Sequence, residues 1–198
     1  MGYETIKVKI EGLTPLLMHN GQLADELHPI VRAMSEITSK PKKKKTLLDL
    51  QEHSRLEFMG GIYVDEDGAP CIPGENLERC IRDGATNESK GKLSTAAVFV
   101  EGNWKLRYKG PKTVEELFED KQYVLRKSVR IGAARVMRTR PIFTDWSLDF
   151  EVRFNAAVMD FDSIKKALDY AGEIKGLGDW RPRYGRFEVT QCRRIRKK

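Results

Sequence analysis

The 198-residue chain has little cysteine and no pattern in it. Cys71, Cys80 and Cys192 are odd in number and form no Cys-x-x-Cys pair. That excludes a disulfide framework and a cysteine metal site, and it implies a reducing cytosol. Long apolar runs are also missing, so no segment is expected to span a bilayer. The opening MGYETIKVKIEG alternates without an apolar h-region, and Gly2 lacks the Ser or Thr of a myristoylation pattern. Neither a signal peptide nor a lipid anchor is expected from it. Recognised catalytic motifs are absent as well: there is no P-loop, no Gly-x-Ser-x-Gly and no paired-carboxylate spacing, and no cofactor is expected. Histidine is scarce. His53 and Glu57 stand i, i+4 on an expected helix, but with no third ligand they read as surface residues. His19 and His28 flank the loop after the first strand, where a general base could sit.

What is present is a core-forming composition and a local excess of positive charge. Hydrophobic residues make up 40% and aromatics 9%, enough for an ordinary single domain and too much for a disordered chain. The formal net charge is +7. Residues 121–140 hold seven basic side chains (Lys121, Arg126, Lys127, Arg130, Arg135, Arg138, Arg140) and no acidic one. Residues 179–198 hold eight basic and two acidic. These segments carry +7 and +6, which leaves −6 on the other 158 residues. An acidic body with basic elements fits polyanion binding. A third run, Lys40 with Lys42, Lys43, Lys44 and Lys45, reads equally as a solvated loop or a further anion contact. The stretch Arg193–Lys198 can be a soluble tail.

Hydrophobic periodicity orders the chain into alternating elements. Ile6, Val8 and Ile10 mark a half-buried strand over 3–11. Leu27, Ile30, Val31, Met34 and Ile37 mark a helix ending at Ser39–Pro41, and residues 46–59 a second helix with Thr46 as N-cap. A short strand Ile62–Val64 closes on a DEDG turn. Pro73–Gly74 opens a third helix with a stripe of Leu77, Cys80, Ile81 and Ala85. Residues 87–92 read as a mobile polar loop, 96–100 and 104–108 as strands, and 113–119 as a short helix. Residues 122–131 and 133–143 read as a long basic hairpin around Gly132. Leu148, Phe150, Val152 and Phe154 mark a strand, and Asp160 or Asp162 caps a helix carrying Phe161, Ile164, Leu168 and Ala171. A final strand runs from Phe187 to Ile195. With no internal repeat and no rich linker, the pattern predicts an α+β layer fold.

The segment Gly176–Phe187 is the strongest single feature. Gly176, Gly178 and Gly185 allow positive φ and close backbone approach. Arg181, Arg183 and Arg186 supply charge, while Trp180 and Tyr184 offer stacking faces of the kind single-strand binders use. The alternative is a structural turn in which Trp180 plugs the core.

Three features together resemble a known family. They are a first strand running into Gly12-x-Thr14-Pro15-Leu16, an Ile72-Pro73-Gly74 turn opening a helix, and a terminal helix–glycine-rich loop–strand. This order is similar to the RAMP superfamily, the RNA-recognition-motif-like proteins of CRISPR effector complexes, particularly the backbone subunits that coat guide RNA. The chain also resembles small stand-alone phage and prophage proteins in its TPLLMHN, RLEF, IPG, RKSVR, RVMRTRPIF and GLGDWRPRYGRFEV blocks.

The resemblance implies one RAMP-like domain over 1–198 with a ferredoxin-like palm. Its strands would lie near 4–10, 96–100, 148–154 and 187–194, and its helices at 75–85 and 161–173. Residues 18–60 would form a helical insertion and 103–143 a thumb-like hairpin. The basic hairpin and glycine-rich loop, set on that fold, lead to the expectation of a non-enzymatic protein that binds single-stranded RNA or DNA independently of sequence, coating a strand as a homo-oligomer in the bacterial cytoplasm. A CRISPR complex or a phage replication or recombination complex would be its setting. The chain is shorter than typical backbone subunits, which favours a reduced, phage-type relative. Two alternatives stay open: a metal-independent endoribonuclease with His19 or His28 as base, and a phage inhibitor mimicking a CRISPR backbone subunit.

Overall fold

The computed structural model describes residues 2–195, so the basic tail residues Arg196, Lys197 and Lys198 lie outside the described residues. The strands are β1 (Tyr3–Gly12), β2 (Leu16–Leu17), β3 (Cys71–Pro73), β4 (Val98–Phe99), β5 (Asn103–Lys105), β6 (Arg107–Tyr108), β7 (Val124–Ile131), β8 (Ala134–Phe143), β9 (Trp146–Asn155) and β10 (Phe187–Arg194). The helices are α1 (Pro29–Ser39), α2 (Leu47–Gly61), α3 (Gly74–Ala85), α4 (Gly91–Ala97), α5 (Val114–Glu119) and α6 (Phe161–Tyr170). They form two compact units: Met1–Leu16 with Val64–Lys109 and Thr144–Lys198, and Leu17–Tyr63 with Gly110–Phe143.

The first unit is built on an antiparallel sheet of order β10-β1-β9-β4. Counted among its own main strands this is 4-1-3-2, the ferredoxin-like order. Alternation sets the register: Ile6 faces Val152, Val8 faces Phe150 and Ile10 faces Leu148, and all six side chains are buried. Each such burial contributes about 1.5–3 kcal/mol. Helix α3 turns Leu77, Cys80 and Ile81 inward, and α6 turns in Ile164, Ala167 and Leu168. Asp160 caps α6, its Oδ1 accepting from the Ser163 N–H at 2.7 Å.

Three segments differ from their sequence patterns. The stretch expected to be a strand over 96–100 is the end of α4 followed by two strand residues, Val98 and Phe99. The polar segment expected to be a mobile loop is instead tied down: Lys90 Nζ donates to Glu88 and to Ser163 Oγ at 2.8 and 2.7 Å. Ile62–Val64 forms no strand beyond an isolated bridge from Val64 to Pro70, because Asp65 folds the chain back by accepting the Ala69 N–H.

The second unit joins α1, α2 and α5 to a sheet of order β2-β8-β7. Its chain segments run from Leu17 to Tyr63 and from Gly110 to Phe143, against the expected 18–60 and 103–143. Residues 103–109 belong to the first unit, where β5 pairs with β3 and β6 with β9. A capping box opens α2: Thr46 Oγ1 accepts from the Asp49 N–H, and Asp49 Oδ2 accepts from the Thr46 N–H at 2.9 Å.

The Lys40 ammonium, 2.6 Å from Asp49 and hydrogen-bonded to it, and then the Thr46 N–H hold the Asp49 carboxyl down at about 2. Because the folded value is depressed, the cap's contribution is complete above the ordinary aspartate value and is lost as pH falls toward 2. Side-chain NMR should therefore find Asp49 still ionised at about pH 3. A midpoint near 4 would show that the cap does not hold in solution.

Candidate nucleic-acid interface

The basic hairpin comprises β7 and β8, paired from Val124↔Pro141 to Ile131↔Ala134 around Gly132. Gly132 sits at φ +58°, in the left-handed region that glycine enters without a Cβ penalty. Directly opposed residues share a face, and faces alternate along a strand. Register therefore divides the cations into two sets. Arg126, Arg130 and Arg135 share one face with Ser128 and Met137, and all five are exposed. Lys127, Arg138 and Arg140 share the other with Val129 and Val136; of these cations Lys127 is exposed, and Arg138 and Arg140 are half-buried.

A buried carboxylate roots the hairpin. Glu57, 3% exposed, accepts from Arg138 Nη1 at 2.8 Å and from the Thr139 N–H at 2.7 Å. Ser54 Oγ and Thr139 Oγ1 lie 2.7 Å apart alongside. Glu57 thus satisfies a buried backbone donor as a neighbouring strand would, which corrects its reading as a surface residue. Its one sequence signal is an acid set inside RLEF, between residues that both pack inward. His53, on the same helix, is half-buried, and burial lowers its pKa.

The glycine-rich loop belongs to the first unit and is pinned by the family-like motif after β1. Thr14 Oγ1 accepts from the Arg186 N–H at 2.9 Å, and the Arg186 carbonyl accepts from the Leu13 and Thr14 N–H groups. The Pro15 carbonyl accepts from the Gly185 N–H at 2.8 Å, and the Thr14 carbonyl from Trp146 Nε1 at 2.9 Å. Gly185 lies at φ +74°, and a Cβ there would strike the Leu177 carbonyl. The Ile-Pro-Gly turn has a similar cause: Gly74 donates its N–H to the Gly102 carbonyl, and a Cβ would strike the Val100 carbonyl.

Within this loop the expected contact residues separate. Arg183 and Arg186 are exposed, and Trp180 is 40% exposed with φ +53°. Arg181 is turned back, donating to Asp83 at 3.2 Å and to the Gly176 carbonyl at 3.3 Å. Tyr184 is buried, with its ring 5.6 Å from that of Trp180. Trp180 therefore lies at the surface rather than plugging the core, and Tyr184 supports it rather than offering a face of its own. An open cleft of about 660 Å³ is lined by Trp180, Arg181, Asp83 and Lys175 among others.

The remaining candidates lie apart from these contacts. Lys42, Lys43 and Lys44 form one exposed 3₁₀ turn, while Lys45 Nζ donates to the Thr38 carbonyl at 2.9 Å. His28 caps α1, its Nδ1 accepting from the Ile30 N–H, and His19 is exposed with its carbonyl bonded by the Tyr63 hydroxyl. Burial pushes the Cys71 and Cys80 thiols up to about 11 and about 12, so neither is a nucleophile at neutral pH. Among the described residues no cluster of three His, Cys, Asp or Glu side chains could hold a metal ion, and no helix is long and apolar enough to cross a membrane.

No protein-family model and no curated protein matches the chain. Among solved structures it is similar to a chain in the cryo-EM structure of the Type III-B Cmr-beta bound to cognate target RNA, with a TM-score of 0.54 and 15% identity. The match covers 98% of this chain and 61% of that one, so this chain spans less than two thirds of its neighbour's length. At that identity the likeness is one of fold, and the fold is α+β and RAMP-like.

Proposed function

We propose that this protein binds single-stranded RNA without strong sequence preference and without cleaving it, using the β7–β8 hairpin as its main contact. The observation that carries this reading is the hairpin's exposed face: Arg126, Arg130 and Arg135 stand on it, and neither strand contains an acidic residue. Guanidinium groups fork onto phosphate oxygens, and the uncharged Ser128–Met137 pair between them selects no particular base. Lys127 adds charge on the second face, and Arg183, Arg186 and Trp180 offer phosphate and stacking contacts from the glycine-rich loop. The solved neighbour is a chain of a complex bound to target RNA, which favours RNA over DNA; the reading extends to several copies along a strand, in a CRISPR or phage nucleic-acid complex.

The test is a salt titration of binding to labelled single-stranded RNA and DNA oligonucleotides. Single-strand binding weakens with a slope of about −0.7 in log K per log salt for each phosphate contact. The triple variant Arg126→Gln, Arg130→Gln, Arg135→Gln should flatten that slope by about 2, uniformly across sequences. An unchanged slope removes the hairpin from the interface. Absence of binding at low salt for both nucleic acids overturns the reading and favours the protein-docking alternative. Cleavage of RNA that disappears with His19→Ala overturns its non-catalytic part.

A further inference from the structure

Part of the hairpin's charge borders a cavity: Arg138 and Arg140 come from the second face, and Arg130, which stays exposed and belongs by register to the first face, joins them. Arg130, Arg138 and Arg140 line a space of about 440 Å³ in the second unit, with Val31 and Met34 of α1 and Glu57 of α2 among the other walls. That volume falls within the roughly 300–1,000 Å³ typical of small-molecule sites. The one carboxylate is already committed, with one oxygen on Arg138 and the other on the Thr139 N–H. Among the lining side chains three guanidinium groups stand beside one carboxylate, so cationic groups outnumber anionic ones.

The charge selects among phosphates. A phosphodiester carries a single negative charge, whereas a phosphate monoester carries about −1.5 to −2 at pH 7 and presents three acceptor oxygens. Arg138 spends one N–H on Glu57 out of the five a guanidinium offers, so it can bond a ligand while holding the hairpin root. The apolar walls then suit a flat ring: Val31 and Met34 stand on the helix side and Val129 on the hairpin side. A thioether packs favourably against aromatic faces.

We propose that this cavity binds a nucleoside monophosphate, either as the free nucleotide or as the phosphorylated end of a strand. The monoester would sit on the arginines and the base against Met34 and Val31. The strand-end form rests on the single-strand reading above; the free-nucleotide form does not.

Two measurements on the full chain separate the sources. Calorimetry with AMP, against adenosine and inorganic phosphate, tests the free form. Anisotropy with one oligonucleotide carrying 5′-hydroxyl, 5′-phosphate or 3′-phosphate ends tests the strand form. AMP should bind at least about tenfold more tightly than either fragment, or one phosphorylated end should bind about tenfold more tightly than the hydroxyl end.

Arg140→Gln, which removes a guanidinium, and Met34→Trp, which fills the space, should each bring that ratio to within about twofold. Circular dichroism checks folding of both, and Arg140→Gln carries the test alone if Met34→Trp does not fold. If AMP fails to bind and neither end phosphate tightens binding, the proposal is overturned while strand binding to the hydroxyl-ended oligonucleotide stands. If AMP binds and no strand does, the cavity stands and the single-strand reading falls. A tenfold preference that survives both substitutions also overturns the proposal, by placing the phosphate elsewhere.

Discussion

Glu57→Ala should lower stability by about 2–4 kcal/mol, made up of a buried backbone donor left unsatisfied, about 1–3, and a half-exposed ion pair, about 1. The donor is the Thr139 N–H, which has Glu57 Oε2 as its partner at 2.7 Å, at a residue 2% exposed. The ion pair counts for less because Arg138 keeps 34% of its side chain in water and can rehydrate. Glu57→Gln separates the two contributions: its amide oxygen still accepts the Thr139 N–H, while its NH₂ group cannot pair with Arg138, so the loss should be about 1 kcal/mol. Urea midpoints of the three proteins give the order. The same variants should weaken strand binding at low salt, with alanine worse than glutamine, because an unrooted hairpin no longer holds its arginines in one register. Equal stability of Glu57→Ala and the parent would mean that the carboxylate does not root the hairpin.

Glu57 also marks where the sequence stops being readable. Its partner is 82 positions away in the chain, and nothing local distinguishes a buried glutamate from one on a helix's wet face. The same holds for Arg181, which looks like a phosphate contact until Asp83, 98 positions away, takes its charge. Tyr184 looks like a stacking face until the fold buries it under Trp180. Lys90 holds a polar stretch in place only because Ser163 arrives from α6.

Local physics was legible wherever it decides the outcome. The alternation of β1 and β9 set their facing apolar rows. The stripe of α3 set its buried side, and the Thr46 cap set the start of α2. The hairpin around Gly132 was legible for the same reason, since strand propensity on both arms and a turn glycine are neighbours in sequence. Its division into two differently placed faces follows from register alone. The second compact unit was harder to see as one body. It is assembled from two distant stretches of chain, and no linker composition marks its four crossings.

At Gly84, in the first unit, two effects of opposite sign meet. Helix propensity favours Gly84→Ala by about 1 kcal/mol, since alanine loses less backbone entropy in a helix interior. Packing opposes it: a Cβ at Gly84 would run into the Ala167 carbonyl of α6, with the Ala171 Cβ only 2.9 Å away. A carbonyl held in a helix cannot rotate aside, so α3 and α6 must separate over the sheet they both cover. Overpacking of this kind costs about 1–3 kcal/mol for a small group and more for a branched one. A clash with a backbone carbonyl takes the upper part of that range, about 2–3 kcal/mol, so packing wins for alanine by a net loss of about 1–2 kcal/mol, and by a larger one for Gly84→Val, which should lose about 3 kcal/mol or more. Gly21→Ala is the matched control. It meets nothing within 4 Å and should stay within about 0.5 kcal/mol of the parent. Urea midpoints should therefore fall in the order Gly21→Ala, Gly84→Ala, Gly84→Val. If Gly84→Ala proves more stable than the parent, propensity has won, and the close approach of α3 and α6 that defines this face of the palm is not present in solution.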